Sequence, residues 1–129
     1  MEEIFGTEPL KSKKGDVSPA DAFSGPKVIC VYFSMHNCPP CREFTPVFAE
    51  LYKETNESER LIEVVFVSGD KTQEEYDKYY DEMPWLALPF RDARLASLAK
   101  RFEVKGVPRL VVLKPDGTII NNSAVQKVS

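Results

Sequence analysis

Apolar residues in this chain gather into short β-branched and aromatic runs, and between the runs apolar positions recur at three- and four-residue steps. The first run, Lys27-Val28-Ile29-Cys30-Val31-Tyr32-Phe33, is continuously apolar after its lysine, as expected of a central strand buried on both faces. From Pro39 to about Thr55 the pattern turns helical, with Phe44, Val47, Phe48, Leu51 and Tyr52 on one predicted apolar face. Pro39 suits a first helical position, where its missing amide has no partner to lose, whereas Pro46 predicts a kink. Leu61-Ile62-Glu63-Val64-Val65-Phe66-Val67 reads as a second core strand, ended by Ser68-Gly69-Asp70. Thr72 and Glu75 form a capping box for a helix carrying Tyr76, Tyr79 and Tyr80.

The segment Met83-Pro84-Trp85-Leu86-Ala87-Leu88-Pro89-Phe90 predicts a turn and a short strand. Asp92 is placed to cap a further helix whose Leu95, Leu98, Ala99 and Phe102 face inward. Arg109-Leu110-Val111-Val112-Leu113 predicts a strand, Lys114-Pro115-Asp116-Gly117 a turn, and Thr118-Ile119-Ile120 the returning strand of a hairpin. Residues 1–26, broken by Gly6, Pro9, Gly15, Pro19, Gly25 and Pro26, read as a partly irregular extension with one short element near Ala20 to Phe23. Residues 121–129 form a polar tail. The order β-α-β-α-β-α-β-β implies an α/β fold, a mixed sheet with helices on both faces.

At 129 residues and 43% apolar content, the chain fits one domain spanning 1–129. A net charge of −3 argues against nucleic acid or an anionic membrane as a partner recruited by a basic surface. No apolar run approaches the ~20 residues that span a bilayer. Met1-Glu2-Glu3-Ile4-Phe5 lacks the basic and apolar regions of a secretory signal, so the expected compartment is the cytoplasm or nucleus. In that reducing setting a C-x-x-C pair signals redox or metal chemistry rather than a structural staple.

That pair is Cys38-Pro39-Pro40-Cys41, which follows the first strand and opens the helix. A cysteine at a helix start meets partial positive charge that favours its thiolate, and the second, one turn on, is close enough to bond to it. Cys38 is therefore the expected nucleophile on a substrate disulfide, and the more buried Cys41 the thiol that resolves the mixed disulfide. Pro39 and Pro40 tune the pair by removing two amides, which leaves the Cys41 amide as the nearest donor to the Cys38 sulfur. A zinc site would need a second ligand pair, and only Cys30, in mid-strand, and His36 are at hand. No metal and no bound cofactor are expected.

Together these residues resemble the thioredoxin superfamily, and within it the tryparedoxin and nucleoredoxin branch. The resemblance rests on Val31-Tyr32-Phe33-Ser34 followed by Cys38-Pro39-Pro40-Cys41-Arg42-Glu43-Phe44-Thr45-Pro46, on Val64 to Asp70, on Met83 to Phe90 and on Gly106-Val107-Pro108. It implies a thioredoxin fold and a cis peptide at Val107-Pro108, with that loop facing Cys38 and pairing its backbone with an extended substrate. It also marks two departures: Asn37 stands where the branch has tryptophan, and Arg109 where threonine follows the cis-proline. Both are candidate substrate-binding positions with Val107 and Pro108, and Arg109 is a cation for acidic partners or for the Cys38 thiolate. Tyr32 holds the position of thioredoxin's buried acid, leaving no evident proton acceptor for Cys41.

The expected function is protein-disulfide reduction, with electrons from an external donor such as thioredoxin reductase, glutathione or a similar thiol. The alternative is a redox-sensitive binding module that regulates a signalling protein or transcription factor. Cys30 reads as a small core residue, His36 as a loop histidine or a proton shuttle, and Trp85 as either packing or an aromatic substrate surface.

Overall fold

A computed structural model describes residues 1–122 together with Ala124 and Val125. Its centre is β3 (Val28–Ser34), the run that is apolar at every position but its last. It pairs in parallel with β4 (Ile62–Ser68), from Val28 opposite Ile62 to Ser34 opposite Ser68, and antiparallel with β6 (Arg109–Leu113). Continuous apolarity is required there because both faces are covered. Ile29, Val31 and Phe33 join Val65 and Val67 in one core layer, with Leu98 and Phe102. Cys30, Tyr32, Val64 and Phe66 form the other, against Phe44, Phe48, Tyr76, Tyr79 and Trp85.

The helices follow from these layers. α3 (Pro39–Thr55) and α4 (Gln73–Tyr80) cover the aromatic face, and α5 (Arg94–Arg101) covers the aliphatic one. Pro39 stands at the start of α3, and the helix runs without a break through Pro46. Thr72 caps α4 through its hydroxyl, which accepts from the Glu75 amide, as the capping-box spacing predicts. At the far edge the turn at Lys114 to Gly117 returns β7 (Ile119–Asn121) onto β6, with Gly117 at φ 96°, a value only glycine adopts freely.

Three expectations need correction. The extension over residues 1–26 holds α1 (Glu2–Phe5), β1 (Leu10–Ser12) and β2 (Gly15–Val17) ahead of α2 (Pro19–Ala22), the one short element expected there. β1 and β2 form a hairpin that extends the sheet beyond β5 (Leu86–Ala87), giving the order β2-β1-β5-β4-β3-β6-β7. Arg94 ties this segment down by donating to the carbonyls of Phe5, Glu8 and Pro9, while Phe5 and Leu10 are wholly buried. Secondly, Val47 and Leu51 are exposed at 47% and 39%, so the buried face of α3 is narrower than its periodicity suggests. Thirdly, Ala93 and not Asp92 precedes α5; Asp92 accepts from the Arg94 amide and guanidinium, which holds its carboxyl below the usual range.

Candidate active site

The loop after β3 is fastened before it reaches the cysteines. Asp70 is buried and accepts from the His36 amide at 2.6 Å and the Ser68 hydroxyl at 2.7 Å, while the Gly69 amide donates to the Ser34 carbonyl. The Asn37 side-chain amide donates to the Glu75 carboxylate, so the residue just before Cys38 is tethered to the start of α4. The His36 ring packs edge-on against Tyr79, 5.7 Å between centroids, and is half-buried rather than loose in solvent.

Cys38 is the cap residue of α3, half-buried, with extended backbone (φ −117°, ψ 106°). The Cys41 amide donates to its sulfur at 3.4 Å, which is the contact left open by Pro39 and Pro40. Its thiol also lies 3.8 Å from the Val107 carbonyl oxygen, and the Val107-Pro108 peptide is cis. The loop before β6 thus faces the half-buried thiol with a backbone acceptor, as an extended substrate strand would need.

Cys41 is different in every respect. Its side chain is fully buried, and burial above all, with Cys38 beside it, pushes its thiol up to about 11. The Ser34 hydroxyl acts in the opposite direction by supporting the thiolate. Both cysteines are free thiols, so the structure is the dithiol form. One helical turn separates a sulfur that meets solvent from one that the sheet encloses.

Of the residues singled out from sequence, Cys38, Cys41, Pro39, Pro40, Val107 and Pro108 come together here. Pro40 and Pro108 line a shallow cavity of about 240 Å³ with Phe44, Val47 and Val125. Arg109 is engaged elsewhere: its Nε donates to the Asn122 carbonyl at 2.6 Å, which anchors the chain after β7. Cys30 lies in the core, its thiol pushed up to about 12, first by burial and then by the Glu63 carboxylate. Trp85 is packed among Tyr32, Phe48 and Tyr52 and is 1% exposed, so it presents no aromatic surface to a substrate. Sequence reasoning passed over Asp70, Glu75, Ser34, Thr45 and Tyr79 as site residues, because their roles depend on contacts between distant segments.

Among the described residues no helix is long and apolar enough to cross a membrane. A family model described as thioredoxin-like matches residues 25–119. The chain is 52% identical over 98 residues to probable nucleoredoxin 1 of Arabidopsis thaliana, covering 76% of this chain and 17% of the relative. It is 40% identical over 125 residues to the tryparedoxin of Trypanosoma brucei brucei, covering 95% and 85%. The solved structure of a thioredoxin from Wuchereria bancrofti superposes with a TM-score of 0.89 at 37% identity, covering 95% of this chain and 86% of that one. The nucleoredoxin relative is thus several times longer than the matched span, whereas the tryparedoxin is matched over most of its length. With its mixed sheet and its close cysteine pair at the helix start, the chain belongs to the thioredoxin-like family, in the branch of thiol–disulfide oxidoreductases that holds the nucleoredoxins and tryparedoxins.

Proposed function

We propose that this chain reduces protein disulfides, with Cys38 as nucleophile and Cys41 as resolving thiol. The carrying observation is the contrast between them: a half-buried Cys38 sulfur receiving the Cys41 amide, and a fully enclosed Cys41 one turn on. Cys38 thiolate attacks one sulfur of the substrate disulfide, and the first substrate thiolate departs with the bonding pair. Cys41 then attacks the Cys38 sulfur, the mixed disulfide breaks, and the second substrate thiolate leaves. The products are a dithiol substrate and a Cys38–Cys41 disulfide.

The substrate strand lies along Val107 and Pro108, where the Val107 carbonyl is already directed at the reacting thiol. Asn37 borders this cleft from the α4 side, and Pro39 and Pro40 set the redox poise by leaving one amide at the sulfur. Arg109 serves the cleft through the chain it holds, not by contact with Cys38. The cycle requires no bound metal or cofactor, since an external reductase or thiol such as glutathione regenerates the dithiol. The setting is the cytoplasm or nucleus, where such donors keep the pair reduced.

Turbidimetric insulin reduction tests the reading. Wild type is expected to turn over with dithiothreitol as donor, Cys38→Ser to be inactive, and Cys41→Ser to accumulate a mixed disulfide visible by mass spectrometry. Turnover retained in Cys38→Ser would refute it.

A further inference from the structure

Among the described residues the exposed large apolar side chains are Val47, Leu51, Ile119 and Ile120. Isolated exposed apolar residues are ordinary on a protein surface, but the first two do not stand alone. At about 3.6 residues per turn, Pro40, Val47 and Leu51 fall on one line along α3, seven and then four residues apart. Pro40 is exposed as well, and it lines the cavity of about 240 Å³ with Glu43, Phe44, Val47 and Pro108. Pro108 follows Val107, whose carbonyl oxygen lies 3.8 Å from the Cys38 sulfur. The apolar line therefore starts beside the reacting thiol and runs about 16 Å down the helix.

A second line borders the first. Glu43, Glu50 and Glu54, again seven and four residues apart, occupy the neighbouring strip of the same helix, and all three are exposed. None of them forms an ion pair among the described residues. The two cations of the helix, Arg42 and Lys53, lie about a quarter turn beyond the acids, away from the apolar line. An acidic strip without a cation of its own complements lysine or arginine brought by a partner.

We propose that this ridge of α3 docks the substrate protein, taking a segment that combines apolar side chains with lysines or arginines while the disulfide meets Cys38. The proposal rests on Cys38 being the nucleophile and names the preferred substrates, disulfides flanked by a basic, apolar segment. Contact at Pro40, Val47 and Leu51 removes apolar surface from water, and the three carboxylates select the sign of charge and speed encounter. About five extended residues cover the distance from Pro40 to Leu51. The ridge holds no lysine or arginine, so a second copy docked ridge to ridge would leave the acids unmatched.

Peptides with one cysteine activated as a 4-thiopyridyl disulfide provide the test, because reaction with Cys38 releases 4-thiopyridone. One peptide carries leucine and lysine beside the cysteine, a second has glutamate for lysine, and a third has serine for leucine. Each rate constant is divided by that for 4,4′-dithiodipyridine, which carries no peptide and reads the thiol alone. In wild type the leucine–lysine peptide is expected to react about ten-fold faster than the glutamate peptide at low ionic strength, the combined effect of two or three exposed ion pairs. Salt at about 0.5 M should remove most of that preference and little of the preference over the serine peptide. Glu50→Lys with Glu54→Lys should abolish or invert the charge preference, and Val47→Ser with Leu51→Ser should erase the preference for leucine. All four positions are exposed, and circular dichroism checks that the variants fold. Ile119→Ser, at an equally exposed apolar position on β7, should change neither ratio.

Equal ratios for the three peptides in wild type overturn the docking surface and leave the reductase reading to stand on insulin reduction. Preferences that survive both paired substitutions do the same, because recognition then lies elsewhere. A wild-type dimer in sedimentation that Val47→Ser with Leu51→Ser dissolves would assign the ridge to self-association and overturn the proposal too. Thiopyridone release undiminished in Cys38→Ser overturns the nucleophile itself, and the docking proposal with it.

Discussion

Phe48→Ala and Val47→Ala, adjacent substitutions on α3, are expected to differ about as widely as two positions can. Phe48 is 1% exposed, and its ring lies 4.9 Å from Trp85, 5.4 Å from Phe44 and 5.7 Å from Tyr32. Removing a buried phenyl group from such a cluster costs about 3–5 kcal/mol, the transfer term plus a cavity that its three aromatic neighbours are too rigid to fill. Domain stabilities are about 5–15 kcal/mol, so this is a large share of the total. At an m-value of ~2 kcal/mol/M the urea midpoint falls by about 1.5–2.5 M. Val47 is 47% exposed, and alanine is the better helix former, so Val47→Ala should change stability by less than ~0.5 kcal/mol. Urea titrations followed by Trp85 fluorescence and by far-ultraviolet circular dichroism give both values. A Phe48→Ala loss below ~1 kcal/mol, or a Val47→Ala loss as large as that of Phe48→Ala, would refute the assignment of the buried helix face.

Other consequences are equally direct. In the native reduced protein at pH 8, iodoacetamide should modify Cys38 and leave Cys30 untouched, because Cys30 is 2% exposed with its thiol pushed up to about 12; mass spectrometry of the labelled peptides decides this. The same shift predicts alkaline sensitivity: the unfolded thiol ionises near 9 while the folded one stays neutral, so stability falls as pH rises from about 9 towards 12, and Cys30→Val removes that part of the slope. Arg109→Thr should lower stability by about 1 kcal/mol by losing its bond to Asn122, and limited proteolysis should then cut after residue 121 sooner than in wild type. Thr72→Ala should cost about 1 kcal/mol through the lost cap of α4, measured by thermal melting, and a change under ~0.3 kcal/mol would contradict the capping geometry.

The long elements were legible because each has one dominant signal. β3 and β4 are apolar runs with no competing periodicity, and α4 and the β6–β7 turn carry specific local chemistry in Thr72–Glu75 and in Gly117. The hairpin within the first 26 residues was not legible, since β1 and β2 are three residues each, with Leu10 and Val17 their only apolar side chains, and exist only as additions to the edge at β5. What orders them is Arg94, over 80 residues away, and no local pattern announces that partnership. Val47 and Leu51 misled for a related reason: periodicity shows which helix face is apolar, and only the sheet's edge shows how far that face is covered.

The candidate site divides along the same line. The Cys41 amide meeting the Cys38 sulfur is legible because it spans three residues, and two prolines leave no other nearby donor. Ser34, Tyr79, Thr45 and Tyr32 form a set of buried hydroxyls, joined in that order at 2.6, 2.6 and 2.7 Å. The set is invisible in sequence although two oddities hint at it: Ser34 ends an otherwise apolar strand, and Thr45 sits on the buried face of α3. Alternation places Tyr32 and Ser34 on the same face of β3, and a helical turn places Thr45 directly after Cys41, so strand and helix bring three hydroxyl groups toward one point. Tyr79 completes the set from 34 residues beyond Thr45. A buried hydroxyl without a partner costs about 1–3 kcal/mol, so these four positions constrain one another. Thr45→Val illustrates this: it deprives Tyr32 and Tyr79 of a partner together, and pairing it with Tyr79→Phe should cost less than the sum of the two single changes in a double-mutant cycle. Strict additivity would show that the hydroxyls are merely neighbours.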